Sequence, residues 1–276
     1  MAEISWSQQR PSQRSASGCG VAAHQGAAAG NDKWLPICLA LIAGYVDAYA
    51  LLAYGVYVSF MSGNTTQTGY LFGQGKLFAA LHSAVAILFF VLGAFSGTWL
   101  TNSKLRQSRQ VLLGVIAAIL ALIIGGTQFG ILASHAAVSI ATLAVAMGLL
   151  NTTHSHIGAE PVSLTFVTGT LNKVGSHLAL ALRGARLPDA QGEWDTHLHR
   201  SRLVASVWAS FLSGAIMSGA ASAYFGAWAL LAPCLILLAL VRCSRFGGVR
   251  RRNSEESLRN LTAADRGRPL VDEIRP

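Results

Sequence analysis

Long apolar runs separated by short charged intervals dominate residues 34–241. A membrane-spanning helix needs about 20 mostly apolar residues, and each run is at least that long. The last run covers 39 residues, so it predicts two helices joined by a tight turn near residues 223–226. The pattern therefore predicts an all-α, polytopic membrane protein with six transmembrane helices. Its apolar runs are 34–54, 77–100, 111–133, 136–159 and 203–241.

Two segments interrupt this pattern with glycine, asparagine and threonine, at residues 55–75 and 161–175. Non-helical backbone at membrane depth is tolerated only where protein or a water-filled cavity satisfies its polar groups. We therefore expect both segments to lie inside the bundle, either as re-entrant loops or as broken helices. The polar insertion at residues 189–200, which carries His197 and His199, has no role that the pattern assigns.

Composition agrees with this interpretation, because 52% of the residues are apolar and only 12% are charged. The polar ends of the chain, residues 1–33 and the basic residues 243–276, are predicted to be disordered tails. The membrane domain is predicted to occupy residues 34–242. No apolar core precedes a cleavage-like site near the N-terminus, so we expect no signal peptide.

The lysines and arginines predict the orientation, because basic residues near span ends are retained on the cytoplasmic side. With both termini in the cytoplasm and residues 55–75 not fully crossing, 20 of the 21 basic residues lie inside, leaving Lys76. Membrane topology thus explains the net charge of +9, and nucleic acid is not expected as a partner.

The second half of the chain repeats the first. Gly148 to Asn151 aligns with Gly44 to Asp47, and the segment that starts at Thr168 aligns with the one that starts at Ser62. The sequence Phe-Val-Leu-Gly at 90–93 likewise matches Phe-Leu-Ser-Gly at 211–214. Each unit, 34–133 and 136–242, holds three predicted spans. An odd number inverts the second unit, so the sequence predicts inverted repeats with a site near the membrane midplane.

These motifs, GYVDA with MSGNTTQTG and later GLLN with VTGTLNKVG, resemble the YoaK-like family of bacterial inner-membrane proteins, a domain of unknown function. The resemblance covers about residues 34–241. It implies a multi-pass protein of the cell inner membrane, of a type associated with transport, without an established substrate or reaction.

Asp47 is the main candidate for a functional residue. A charged side chain at the bilayer centre costs about 2.5 to 3.5 kcal/mol, so an intramembrane carboxylate is by default a functional-site hypothesis. It would bind a cation or a proton and couple it to solute movement. Alternatively, it hydrogen-bonds the broken backbone of the next segment and never titrates. Its repeat partner, Asn151, is polar but cannot titrate.

The two small polar motifs have equally open roles. They would bind an anion through amide groups or a cation through unwound carbonyls, or they would simply let helices pack closely. The predicted substrate- or ion-binding residues in both units are Asp47, Ser62, Gly63, Asn64, Asn151, Thr168, Gly169 and Thr170.

Catalytic and metal sites are not predicted. His154 and His156 are two residues apart, which places them on opposite sides of a helix, and no second intramembrane aspartate accompanies Asp47. No cofactor is expected. The leading hypothesis is a secondary transporter of a small solute or ion, and the alternative is a non-transporting membrane scaffold or regulator. A homodimer is compatible with so small a bundle.

Overall fold

The computed structural model describes residues 34–103, 108–130, 135–153, 156–157, 160–161, 165, 167–187, 190 and 192–243. The predicted tails at 1–33 and, except for residue 243, at 243–276 lie outside these ranges.

Helices make up most of the described chain, which agrees with the predicted all-α class. The strands among the described residues are one pair of two residues each. The helices are α1 (Trp34–Tyr54), α2 (Met61–Gly73), α3 (Leu77–Asn102), α4 (Ser108–Gln128), α5 (Ala136–Thr152), α6 (Val167–Leu182), α7 (His197–Phe225) and α8 (231–243). A 3₁₀ turn, Gly226–Leu230, joins α7 to α8, and strands β1 (His156–Ile157) and β2 (Glu160–Pro161) lie between α5 and α6.

Four helical stretches of the described chain are long and apolar enough to cross a membrane: α1, α3, residues 109–128 of α4, and the stretch His197–Cys243. The fourth stretch contains the predicted turn, because α7 ends at Phe225 and regular helix resumes at residue 231. α5 is apolar but has only 17 residues.

α5 is shorter than its apolar run, which the sequence extends to residue 159. At its end, the hydroxyl groups of Thr152 and Thr153 donate hydrogen bonds to the carbonyls of Leu149 and Leu150, at 2.8 and 2.7 Å. These bonds occupy carbonyls of the last turn, which have no partners within the helix. The β-strand pair then follows. Residues 152–156 are Thr, Thr, His, Ser and His, so the run remains uncharged there but is no longer apolar. Hydroxyl groups and local strand pairing take the place of the helix.

The helices are interrupted at both segments where the sequence predicts a break. After α1 the backbone is non-helical through residues 55–60, beginning at Gly55 with φ of 69°. After α5, regular helix resumes only at Val167. The short helices that follow, α2 and α6, have 13 and 16 residues. At 1.5 Å per residue they measure about 20 and 24 Å, less than the roughly 30 Å of a hydrocarbon core.

α1 packs along α7, and two glycines make the close approach possible. A Cβ atom on Gly44 would collide with the carbonyl oxygen of Phe211, and one on Gly214 would collide with that of Leu41. Any larger residue at either position would have to push the two backbones apart. Small residues serve the same purpose in many membrane helix pairs, where close contact replaces the hydrophobic effect.

α3 packs along α5 in the same way. A Cβ atom on Gly93 would collide with the carbonyl oxygen of Val145, and one on Gly148 would collide with that of Phe90. In both crossings, the glycine on one helix faces a carbonyl exactly three residues before the glycine on the other.

Large apolar side chains cover much of the outer surface, and α3 is the clearest case. Phe78, Phe95 and Trp99 on this helix are 86%, 63% and 73% exposed. Soluble monomers rarely expose a continuous apolar surface of this kind. The interior is formed mainly by α1, α4 and α5, and the hydroxyl of Tyr45 ties α1 to the 3₁₀ turn by donating to the Ala229 carbonyl at 2.8 Å.

Candidate functional site

The break after α1 is organised around Asp47, which lies seven residues before the end of that helix and is 4% exposed. The backbone N–H groups of Val58 and Ser59 both donate to Asp47 Oδ1, each at 2.8 Å. These donors belong to the non-helical segment, so they have no partner in a helix. The carboxylate supplies the missing acceptor, and hydrogen bonds to an ionised group are the strong ones.

Asn64 holds the same segment from the other side. Its Nδ2 donates to the Tyr57 carbonyl at 2.6 Å, and its Oδ1 accepts from the Tyr57 N–H at 3.2 Å. Asn64 is completely buried, and Gln67 adds a bond from Nε2 to the Gly55 carbonyl at 3.1 Å. Residues 55–60 are thus held between an α1 carboxylate and two α2 amides. The side-chain amide of Asn64 satisfies the backbone of the break.

A groove of about 490 Å³ lies over this break. Gly63 is required beneath it, because a Cβ atom there would collide with the ring of Phe60 and come within 3.3 Å of Tyr57. Those two rings meet edge to face, with centroids 5.3 Å apart. Ser62 is exposed at the groove. The groove is lined by Leu51, Gly55, Tyr57, Phe60, Ser62, Gly63, Thr66, Gln67 and Tyr70.

The break after α5 contains a related contact. Thr165 donates from Oγ1 to Asn151 Oδ1 at 3.4 Å. Thr165 lies three residues before Thr168, just as Ser59 lies three residues before Ser62. Asn151 and Asp47 therefore both bind the corresponding position in the break that follows them, one through an amide and one through a carboxylate.

The second motif follows the same order of burial as the first. Thr168 is exposed, Gly169 is half-buried and Thr170 is buried, as for Ser62, Gly63 and Asn64. The motif helices do not pack extensively on each other, because α2 packs against α3 and α6 against α7. Their parent helices, α1 and α5, do contact each other. A single site shared by both motifs stays a prediction.

Two contacts near the start of α7 could not be read from the sequence. The Arg200 guanidinium binds the Asp195 carboxylate through Nε and Nη2, at 2.9 and 2.8 Å, and both side chains are buried. His177 of α6 meets His197 of α7, with their Nδ1 atoms 2.9 Å apart. Each pair lies in or beside the insertion at 189–200. The nearest sequence signal was the unusual concentration of polar residues there.

The remaining histidines considered as ligands, His154 and His156, have side chains outside the described part of the structure. Within that part, no group of three or more histidine, cysteine or acidic side chains is arranged to hold a metal ion.

Comparison with known proteins places the chain in a family. Residues 35–243 match the family described as "Protein of unknown function (DUF1275)". A UPF0700 transmembrane protein of Rhizobium meliloti (strain 1021) is 29% identical over 208 residues, which cover 75% of this chain and 83% of the relative. No solved structure matches significantly. The matched region and the transmembrane relative confirm the resemblance carried by the paired motifs, since YoaK is a DUF1275 member. This chain is a membrane protein that belongs to the DUF1275 family.

Proposed function

We propose that this membrane protein is a secondary transporter of a small solute, and that the break after α1 is its moving part. The observation that carries the proposal is the placement of Asp47. A buried carboxylate holds two backbone N–H groups of a segment whose aromatic residues line a groove. The residues that bind Asp47 and the residues that line one side of the groove thus belong to the same segment, 55–60.

Asp47 acts through this segment and does not line the groove itself. An ionised carboxylate accepts the hydrogen bonds of Val58 and Ser59 strongly, whereas a protonated or cation-bound carboxyl accepts them less well. Hydrogen bonds to charged groups contribute about 1.5 to 3 kcal/mol each. Proton or cation binding at Asp47 therefore loosens the segment and moves Tyr57 and Phe60, which couples ion binding to the shape of the groove.

The groove favours an uncharged solute. None of its nine lining residues carries a carboxylate, ammonium, guanidinium or imidazole group. An ion taken from water into such a groove would lose hydration without gaining a countercharge. Aromatic faces beside the hydroxyl of Thr66 and the amide of Gln67 suit a small molecule with one apolar face and polar edges.

The repeat supports alternating access by two inverted units. The glycine crossing of α1 with α7 uses the same spacing as that of α5 with α3. The Asp47 contact likewise has a counterpart at Asn151. In each crossing, the first helix of one unit packs on the second long helix of the other unit. Such packing is expected of inverted repeats, whose halves rock against each other around a site. In this proposal the six spans are, in chain order, α1, α3, α4, α5, α7 and α8.

The same proposal assigns the location and partners. The distribution of basic residues supports a cytoplasmic location for both termini, and the inner membrane is the proposed location. The partners are the lipid bilayer and the solute, with a homodimer as the proposed assembly and no nucleic acid. The protein is proposed to be non-enzymatic.

The alternative function is a membrane scaffold or regulator. It is favoured by the complete engagement of Asn64 with Tyr57, which would also suit a break that never moves. In that case, replacing Gly63 or Gly169 by leucine would prevent assembly, while replacing Asp47 by asparagine would leave activity intact.

Uptake into liposomes separates these functions. Purified full-length protein is reconstituted, and labelled glucose, glycerol and uracil are compared with labelled glutamate and lysine, with and without an imposed proton gradient. We expect gradient-dependent accumulation of an uncharged solute by the wild type. Asp47→Asn keeps an oxygen acceptor at the same place but cannot change its charge, so accumulation should lose its dependence on the gradient.

Thr65→Ala is the matched control, because Thr65 is exposed and bonds only within its own helix, to the Met61 carbonyl. Gradient-driven uptake that is unchanged in Asp47→Asn would remove Asp47 from the mechanism. Uptake of none of these solutes, combined with assembly that fails in Gly63→Leu, would favour the scaffold.

A further inference from the structure

Two histidines from different helices face each other between α6 and α7. The Nδ1 atoms of His177 and His197 are 2.9 Å apart, and their ring centroids are 5.2 Å apart with planes tilted by 41°. His197 is 7% exposed and His177 is partly buried. Two neutral imidazoles at this distance share one proton, because one Nδ1 donates while the other accepts.

We propose that His177 and His197 form a two-histidine site for a transition-metal ion such as Cu²⁺, Ni²⁺ or Zn²⁺. Histidine nitrogens bind zinc at about 2.0 to 2.1 Å. Two such bonds at a right angle separate the nitrogens by about 2.9 Å, which is the spacing of these two Nδ1 atoms. The backbone therefore already holds both ligands at the distance of a cis pair. The two Nδ1 atoms now point at each other, because the ring centroids are 5.2 Å apart and the nitrogens 2.9 Å apart. Binding therefore needs each ring to turn by about 45° so that its lone pair meets the ion.

The surrounding residues determine which metals fit. Asp195, the nearest carboxylate in sequence to His197, is held on both oxygens by Arg200. The ring of His199 packs edge to face on Trp194, with centroids 5.4 Å apart. The site thus offers imidazole nitrogen, while the carboxylate of Asp195 is already bound to a guanidinium. Imidazole suits Cu²⁺, Ni²⁺ and Zn²⁺, whereas Mg²⁺ and Ca²⁺ require oxygen ligands.

Charge and ligand number make the site weak and reversible. Lys173 lies one turn before His177 on α6, and it opposes the approach of a cation. No cluster of three potential protein ligands occurs in the described residues, so water completes the coordination. A metal bound in this way exchanges with solution.

Metal binding requires the shared proton to move. Both Nδ1 lone pairs must point at the ion, so the donating imidazole converts to its Nε2–H tautomer through exchange with solvent. A neutral pair releases no net proton in this step. The bound ion then links α6, which carries Thr168 to Thr170, to the first turn of α7.

Titration of purified full-length protein with NiCl₂ tests the site. The protein is purified without a histidine tag, and wild type is compared with His177→Gln, His197→Gln and the control His82→Gln on α3. We expect Ni²⁺ to raise the melting temperature of wild type and His82→Gln, and a chelator to reverse the rise. Each variant of the pair should bind at least about tenfold more weakly, since even lost outer-shell partners weaken metal sites by about 10- to 100-fold. MgCl₂ should leave all four proteins unchanged.

Equal stabilisation of all four proteins by Ni²⁺, or no stabilisation of the wild type, would overturn the proposal. The chain has eight histidines, so a second measurement uses a protein in which the six outside the pair are replaced by glutamine. Its Cu²⁺ electron paramagnetic resonance spectrum should show two coupled imidazole nitrogens. One nitrogen or none would contradict the assignment, even where a variant of the pair fails to fold. Neither measurement depends on transport.

Discussion

The break after α1 is held by a carboxylate, whereas the break after α5 is held by an amide. Asp47 accepts two backbone N–H bonds at 2.8 Å, while Asn151 accepts the hydroxyl of Thr165 at the longer distance of 3.4 Å. The first break spans only residues 55–60 between its helices. The second is longer and includes the β1–β2 pair. Equivalent positions thus carry different chemistry.

This difference shows that two related segments can keep the same helix packing and still carry different side chains at equivalent positions. Of the two equivalent residues, Asp47 can change its charge and Asn151 cannot, so under the proposed function this pair supplies a switch only in the first break. The glycine crossings are equivalent in the two halves, because both helix pairs need the same close approach. Packing is therefore repeated, while the carboxylate at this pair of positions is not.

The largest loss of stability is expected at the glycine crossings, where the two halves of the chain are most alike. Gly44→Ala and Gly148→Ala each place a methyl group against a backbone carbonyl, which cannot move without separating the helices. Overpacking of this kind costs roughly 3 kcal/mol. Equilibrium unfolding in mixed micelles should show similar losses for both variants.

Gly114→Ala on α4 is the control for these two variants. A Cβ atom there meets no atom within 4 Å, so the change should stabilise the helix by about 0.5 to 1 kcal/mol. Losses at Gly44 and Gly148 that differ by more than the experimental error would show that the two crossings are not equivalent.

A smaller effect is expected for Asp47→Ala. It leaves two buried N–H groups without an acceptor, at about 1 to 3 kcal/mol each, but it also removes a charge whose burial costs about 2.5 to 3.5 kcal/mol. The net loss should be about 2 kcal/mol in the same unfolding assay. Asn151→Ala should cost less, because a neutral amide accepts hydrogen bonds less strongly than a carboxylate. The reverse order would mean that the second break is the more tightly held.

Asn64→Ala should cost about 1.5 kcal/mol, because the Tyr57 N–H and carbonyl lose their side-chain partners. Faster proteolysis at residues 55–60 would accompany this loss. Thr170→Ala, at the corresponding position of α6, removes one hydroxyl and should cost less. Thr65→Ala should have no measurable effect. If Asn64→Ala were as stable and as protease-resistant as wild type, Asn64 would not hold the segment.

Moving the carboxylate should change stability least and function most. Asp47→Asn keeps an oxygen at the same position, and the weaker hydrogen bonds are offset by the removed cost of burying a charge. Its unfolding free energy should therefore change by less than about 1 kcal/mol. Combining it with Asn151→Asp places the charge in the second break. Liposome uptake should then lose its response to the proton gradient in the single variant and regain some of it in the double variant. A double variant without any response would show that the second break cannot act as a switch.

Several features were predictable from the order of residues. Runs of apolar residues predicted the helices, since membrane helices must satisfy their own backbone and expose apolar side chains to lipid. The interruptions overlap the predicted segments, but the glycine-rich motifs themselves are helical, in α2 and α6, and follow the interruptions. The turn near residue 225 appears where a 39-residue run was too long for one span. Asp47 was recognisable because a carboxylate in an apolar run is costly.

Other features were not predictable, because they depend on which elements meet. His177 and His197 are 20 residues apart, across an insertion without a repeat counterpart, and only the docking of α6 on α7 brings them together. The end of α5 at Thr152 involves hydroxyl groups that bind the last carbonyls, and a run of uncharged residues does not show those bonds. The sequence pattern therefore predicted the helices, but it did not predict where each helix ends or which helix it packs against.

By itself, the sequence determined that the chain enters a membrane and where its helices break, and it predicted that the two halves are related. These properties follow from local hydropathy, glycine content and repeated motifs, which need no knowledge of distant contacts. Only the tertiary structure decided that Asp47 binds the backbone of the break, that Asn64 serves the same segment and that the two histidines meet. Hydrogen bonds and close contacts depend on distances of a few ångströms, and those distances arise only when separate helices pack.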